Sequence, residues 1–327
     1  MIPKPTILPT RTLSRSRTAA KEPRGRTLFV VLAAAAAALS AAAPIATVPI
    51  THLFDIRGDG AVAFALPTDV AVGRDGRIYV VDGGHHRVVA FDQRGRHLFN
   101  IGGPGAGDGK FQDPVGVGVD GKGRVYVADT GNHRIQVFDG DGAFEYAIDL
   151  VDQGKPVRPI DVAADDNGNV LYVTGNNNHA VMVLQGRQVV NTWGGEGPSN
   201  GEFRYPASVI VAPNGFIYVV DVLNTRVQVF DKSGKYIVNT GDWGVLPGQL
   251  FRPKGVAVDQ RGQIYVSDSY LDVIQVYDRG HRFAHVLGQA GEPYKVIAPG
   301  GIAIDEQDRL YVAEVLENKV SVFRLSN

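Results

Sequence analysis

Short runs of β-branched and aromatic residues alternate with turns along most of this chain. One stretch reads Pro114-Val115-Gly116-Val117-Gly118-Val119, then Arg124-Val125-Tyr126-Val127-Ala128-Asp129, then Arg134-Ile135-Gln136-Val137-Phe138, then Phe144-Glu145-Tyr146-Ala147-Ile148, with Gly, Asp and Asn clusters between. Runs of this length and composition, bounded by turn-forming residues, predict four successive strands in a meander. Helical periodicity is missing. In the first run Val115, Val117 and Val119 alternate with Gly116 and Gly118, as expected where inner strands crowd around an axis.

The pattern recurs. Tyr79, Tyr126, Tyr172, Tyr218, Tyr265 and Tyr311 lie 47, 46, 46, 47 and 46 residues apart, and Pro67, Pro114, Pro159, Pro206, Pro253 and Pro299 keep step with them. Six copies of one four-stranded unit predict an all-β fold, a six-bladed β-propeller of antiparallel blades, in which closing the ring protects most strand edges. The last copy stops at Phe323 without an outermost strand, while Thr51-His52-Leu53-Phe54-Asp55-Ile56 resembles the outer strand Arg96-His97-Leu98-Phe99-Asn100-Ile101. The N-terminal strand is therefore expected to complete the sixth blade.

The segment Asp129-Thr130-Gly131-Asn132-His133-Arg134-Ile135-Gln136-Val137-Phe138, preceded by Pro114-Val115-Gly116-Val117, resembles the repeat of NHL-repeat proteins, and the likeness extends over all six units. The resemblance implies the propeller fold and says much less of function, because propellers host unrelated activities. Amidating lyases of the related propeller class carry histidines just after the blade proline. Here those positions are Thr68, Val115, Ile160, Ala207, Lys254 and Gly300, which argues against that activity.

Composition adds two points. Gly accounts for 40 of 327 residues without a collagen period, so it marks turns, and the absence of Cys excludes disulfide and cysteine-metal frameworks. The overall charge of −1 conceals a split, with +6 in residues 1–50 and −7 beyond. Residues 1–27 form a basic N-terminal region, and residues 28–50 are uncharged and Ala-rich, the arrangement of a signal peptide or a transmembrane anchor helix. The propeller, residues 51–327, is then expected in the periplasm, at the cell surface, or outside a membrane that residues 28–50 span if uncleaved. Its negative charge opposes nucleic-acid binding.

The loops between second and third strands and the links between blades open on one face, which carries the most varied sequence and is the expected recognition face. On it His85, His133, Asn178, Trp243 and Tyr270 are candidate ligand contacts. Asp82, Asp129, Asp221 and Asp268 recur with Arg87, Arg134 and Arg226, and such periodicity suits a loop-holding role better than catalysis. Blade three departs from this pattern at Gly175, blade five at Val273, and blade six at Glu314 and Lys319, which can mark a binding sector. Two residues beyond each proline, Asp69 and Asp161 are expected near the axis, where they can reach calcium or another divalent ion. His85, His86, His133 and His179 are imidazole donors of the kind zinc uses, but they sit on different blades. Trp193 is expected in the core.

No catalytic set converges and no cofactor motif is present. The expected function is non-catalytic binding of a protein, peptide or glycan outside the cytoplasm. The alternatives are a metal-dependent hydrolase or lyase using channel carboxylates, and an extracytoplasmic sensor module.

Overall fold

The computed structural model describes residues 45–58, 60 and 63–326. The basic region and most of the apolar segment expected at the N-terminus lie outside the described residues. The propeller begins at Ile45.

Six antiparallel sheets of at least four strands form the blades. Their innermost strands are Pro67–Val72, Pro114–Val119, Pro159–Ala164, Pro206–Val211, Pro253–Val258 and Pro299–Ile304. Proline can open each of these strands because a first residue need not donate to the ladder. The second and third strands of blade two, Val125–Asp129 and Arg134–Phe138, are buried at every position, as are their counterparts in blades four and five.

That burial follows from the alternation. Successive side chains of a middle strand point to opposite faces of its sheet, and each face meets a neighbouring blade. Tyr126, Ala128, Ile135 and Val137 of blade two thus pack with Val162, Leu171, Val173 and Met182 of blade three, while Val125, Val127 and Phe138 pack with Tyr79, Val81 and Val88 of blade one. The core is a ring of such layers, completed where Tyr311, Ala313, Val320 and Val322 meet Val70, Ile78, Val80 and Phe91. The repeated tyrosines fill these layers, and several of their hydroxyls reach polar groups of the short turns, as in Tyr126 Oη to Asp120 at 3.0 Å and Tyr311 Oη to Asp305 at 2.9 Å.

The ring closes as expected. Ile50–Ile56 pairs antiparallel with Lys319–Leu325 and supplies the missing outer strand of blade six. Asp55 pins the junction, accepting from Ser321 Oγ at 2.9 Å and from Lys319 Nζ at 3.3 Å, and these partners with His52 hold its carboxyl down at about 2 despite partial burial.

One boundary differs from the expectation. Thr47–Val48 runs parallel beside the outer strand Phe283–Gln289 of blade five, so residues 45–50, placed above in the apolar export segment, belong to the propeller. Ile45, Thr47, Val48 and Ile50 are β-branched, and sheet pairing uses them better than the preceding alanines. Two edges are thereby latched by one N-terminal segment. Among the described residues no helix is long and apolar enough to cross a membrane.

Candidate binding funnel

Each blade's second-to-third loop and its link to the next blade meet on one face, and the recurring acids join them. Asp129, fully buried, accepts from the link N–H of Gln112 at 2.8 Å, from Arg134 Nε at 2.8 Å and from Asn132 and Gln136 amides at 2.9 Å. Asp82 and Asp221 repeat this with Ala65 and Arg204 N–H groups, and Glu314 does so with Ile297. The acids are structural clasps, and a buried carboxylate with this many donors has its desolvation offset by charge-assisted bonds.

A second clasp runs between blades. His86, Asp272, His179 and Asn318 end their loops in left-handed backbone, and each side chain accepts the N–H of the residue before the next proline: Asp113 at 3.1 Å, Ala298 at 2.9 Å, Tyr205 at 3.1 Å and Leu66 at 2.8 Å. Those four pre-proline residues are themselves left-handed. The histidines here are therefore corner residues on separate blades, and the structure does not bring them together. His133 occupies the same corner in blade two, where its Nδ1 is buried without a partner.

The axis carries the two predicted carboxyls. Asp69 accepts from Val117 N–H of the following blade at 2.9 Å, and Asp161 accepts from Val209 N–H at 2.9 Å and from its neighbour Val162 at 2.7 Å. Glycines make room for them. A Cβ on Gly301 would lie 1.7 Å from Asp69 Oδ1, and one on Gly116 would lie 2.6 Å from Asp161 Oδ1. Desolvation raises both pKa values, Asp161 to about 6, and Asp69 is raised further by the neighbouring Asp161 charge. Among the described residues no third acid or imidazole joins them in a metal-holding group.

Beyond these carboxyls the channel opens toward the loop-rich face in a funnel of about 490 Å³. All six residues that follow a blade proline line it. Five of them, Thr68, Val115, Ile160, Ala207 and Gly300, are small or apolar, and the sixth is Lys254. Arg252 stands beside Lys254, and burial together with that charge lowers the lysine's pKa. Among the described residues neither cation has a carboxylate partner. The sequence shows Lys254 at its post-proline position, but only the topology reveals that these positions ring a cavity.

The remaining candidates divide. Trp243 is 72% exposed in the link before blade five, and Tyr270 is 57% exposed with its ring tilted against Phe251 at 4.2 Å between centroids. His85 is bound to Asp82 at 2.8 Å, and Asn178 donates to Asp152 at 3.1 Å, so both are tied into the loop framework. Trp193 packs between Phe203 and Phe230, in keeping with a core role.

Radial blades, strand closure from both chain ends and an open axial mouth define a six-bladed β-propeller. Two of the repeats, at residues 64–91 and 111–138, match the NHL repeat, and residues 202–288 match a 6-bladed β-propeller family. The chain is 43% identical over 88 residues to NHL repeat-containing protein 3 of Homo sapiens and 40% identical to that of Mus musculus, matches spanning 26% of this chain and 24% of each relative. This chain therefore aligns with about a quarter of the curated relatives' length. Among solved structures it resembles a streptogramin B lyase (TM-score 0.61, 14% identity, 85% of this chain and 98% of that one). It also resembles a structural genomics protein of unknown function from Bacteroides thetaiotaomicron (TM-score 0.65, 17% identity, 86% and 75%). At these identities the structural likeness concerns the fold alone.

Proposed function

We propose that this propeller is a non-catalytic binding protein that recognises a protein or peptide through its loop-rich face, outside the cytoplasm. The observation that carries this reading is the distribution of exposed apolar side chains. Tyr205, Leu223, Trp243, Leu246, Tyr270 and Leu316 are all exposed on loops or links of that face. Contiguous exposed apolar surface around a concavity marks interaction sites, and aromatic residues dominate their energetics.

The link before blade five sharpens the point. It carries Trp243-Gly244-Val245-Leu246 where the corresponding links carry Pro104-Gly105-Ala106-Gly107 and Glu196-Gly197-Pro198-Ser199. Each link closes on a bridge to its own C-terminal apolar residue, Leu250, Phe111 or Phe203. The shared frame does not require the three large side chains at the tip, so they are free to serve recognition. Placement outside the cytoplasm rests on the basic and apolar order of residues 1–44, and protection of the propeller from protease when the outer envelope is opened and the cytoplasmic membrane left sealed would overturn it.

Photo-crosslinking residues placed singly at positions 243, 270 and 316 test the binding reading against controls at 98, 190 and 237 on outer strands. In the native envelope the loop-face set is expected to yield one discrete conjugate that the controls do not. Equal labelling from both sets refutes it.

A further inference from the structure

We infer that the funnel on the loop-rich face is a receptor for a carboxylate carried on an apolar body, as at the C-terminus of a peptide, held between Lys254 and Arg252. The inference rests on the binding reading above and specifies its chemistry. Three observations lead to it.

First, the wall is electrostatically incomplete. Lys254 and Arg252 lie side by side on a mouth whose wall includes Val115, Ile160, Ala207, Pro299 and Leu316, and among the described residues neither forms an ion pair with a carboxylate, Asp69 and Asp161 on the floor included. A partly desolvated ammonium beside a guanidinium is unfavourable until an anion joins it, and a carboxylate suits the planar fork of arginine. Burial first, and then the Arg252 charge, lower the pKa of Lys254.

Second, the size and polarity fit a small acid or a chain end. About 490 Å³ falls in the range of pockets that enclose compact ligands, and an apolar lining with few convergent polar groups is how such pockets fix orientation. Third, the floor limits the charge. Asp69 and Asp161 also border the funnel, so a polyanion reaching both cations would approach two carboxyls, whereas a single carboxylate need not.

The test uses N-acetyl-leucine, N-acetyl-leucinamide and the acetylated tripeptide Ala-Ala-Leu with a free carboxylate, titrated calorimetrically into the full chain. The acid is expected to bind at least about tenfold more tightly than the amide, because only it forms charge-assisted bonds. Lys254→Met and Arg252→Met should each remove most of that preference, and Lys254→Arg should retain it. A tripeptide tighter than N-acetyl-leucine assigns the site to peptide ends, and one excluded from the funnel assigns it to free small acids and overturns the peptide source.

A second measurement does not depend on the variants folding. Under limiting acetic anhydride, N-acetyl-leucine should protect Lys254 and leave Lys232, on the opposite face, unchanged. Equal binding of acid and amide, or a Lys254 reactivity that the acid does not alter, overturns the carboxylate assignment. Crosslinking from positions 243, 270 and 316 would in that case still stand or fall separately.

Discussion

Replacing Asp69 with Asn should flatten the pH dependence of stability, and the channel geometry sets the sign. A carboxyl whose pKa is raised on folding contributes stability that is fully present below its unfolded value and is lost as pH rises through its folded value. Asp161 is raised from 3.8 to about 6 by desolvation, and Asp69 is raised as well. A shift of about two units corresponds to about 3 kcal/mol. Ionising this pair thus costs the native state on that order between about pH 4 and pH 7.

Two groups oppose that slope. His281 and His285 are held below their ordinary value by burial, so they favour the native state as pH rises. The informative quantity is therefore the difference between wild type and variant. Urea unfolding at about pH 5 and about pH 8 should show a loss for Asp69→Asn smaller than that of wild type by at least about 1 kcal/mol, since the variant removes one titrating carboxyl and relieves the other. Millimolar calcium should leave both curves in place, because two carboxylates already accepting backbone N–H groups leave too few donors for that ion. Identical pH slopes in the two proteins would refute the coupling, and a calcium-dependent gain confined to wild type would restore the metal reading of Asp69 and Asp161.

Three other perturbations address the frame. Asp129→Ala strands several buried donors at once and should cost about 3–5 kcal/mol in chemical denaturation, against under about 1 kcal/mol if the clasp is dispensable. Deleting residues 45–56 removes both latch strands, so the thermal transition should fall sharply or lose its single step, and an unchanged melting curve would sink the closure. Gly301→Ala places a methyl against Asp69 and should cost about 1–3 kcal/mol, most of it recovered in the Gly301→Ala/Asp69→Ala double variant; additive losses would mean the two do not share that space.

Much of this architecture is legible in the chain because each blade repeats the same solution. The tyrosine and proline spacings, the turn residues and the orphan N-terminal strand each reflect backbone pairing that a local pattern encodes. The clasping role of Asp82, Asp129 and Asp221 was legible for the same reason. Thr47–Val48 was obscured because an apolar run reads alike as membrane segment and as edge strand, and only β-branching separates Ile45, Thr47 and Val48 from the alanines before them. The clasping role of His86 and His179 is hidden in the chain because left-handed backbone at a residue other than glycine leaves no local mark. Lys254 was visible, but its environment depends on six residues roughly 46 positions apart converging at one mouth.

The places where the repeat fails explain why the funnel is asymmetric. In blades one, two and four an arginine opens the third strand and holds the clasping acid, as Arg134 Nε holds Asp129. Blade five has Val273 there, and Asp268 instead accepts four backbone N–H groups, from Phe251 at 2.7 Å, Arg252 at 3.1 Å, Tyr270 at 3.0 Å and Leu271 at 3.1 Å. Losing the arginine thus leaves one carboxylate to fix two loops together, and those loops carry Arg252 and Tyr270. Lys254 follows on the same strand, and Leu316 faces it from blade six, where Glu314 and Lys319 have replaced the usual pair. Five post-proline positions stay small or apolar and keep the mouth open, while blade five alone supplies its cations, above the Asp69 and Asp161 carboxyls of blades one and three.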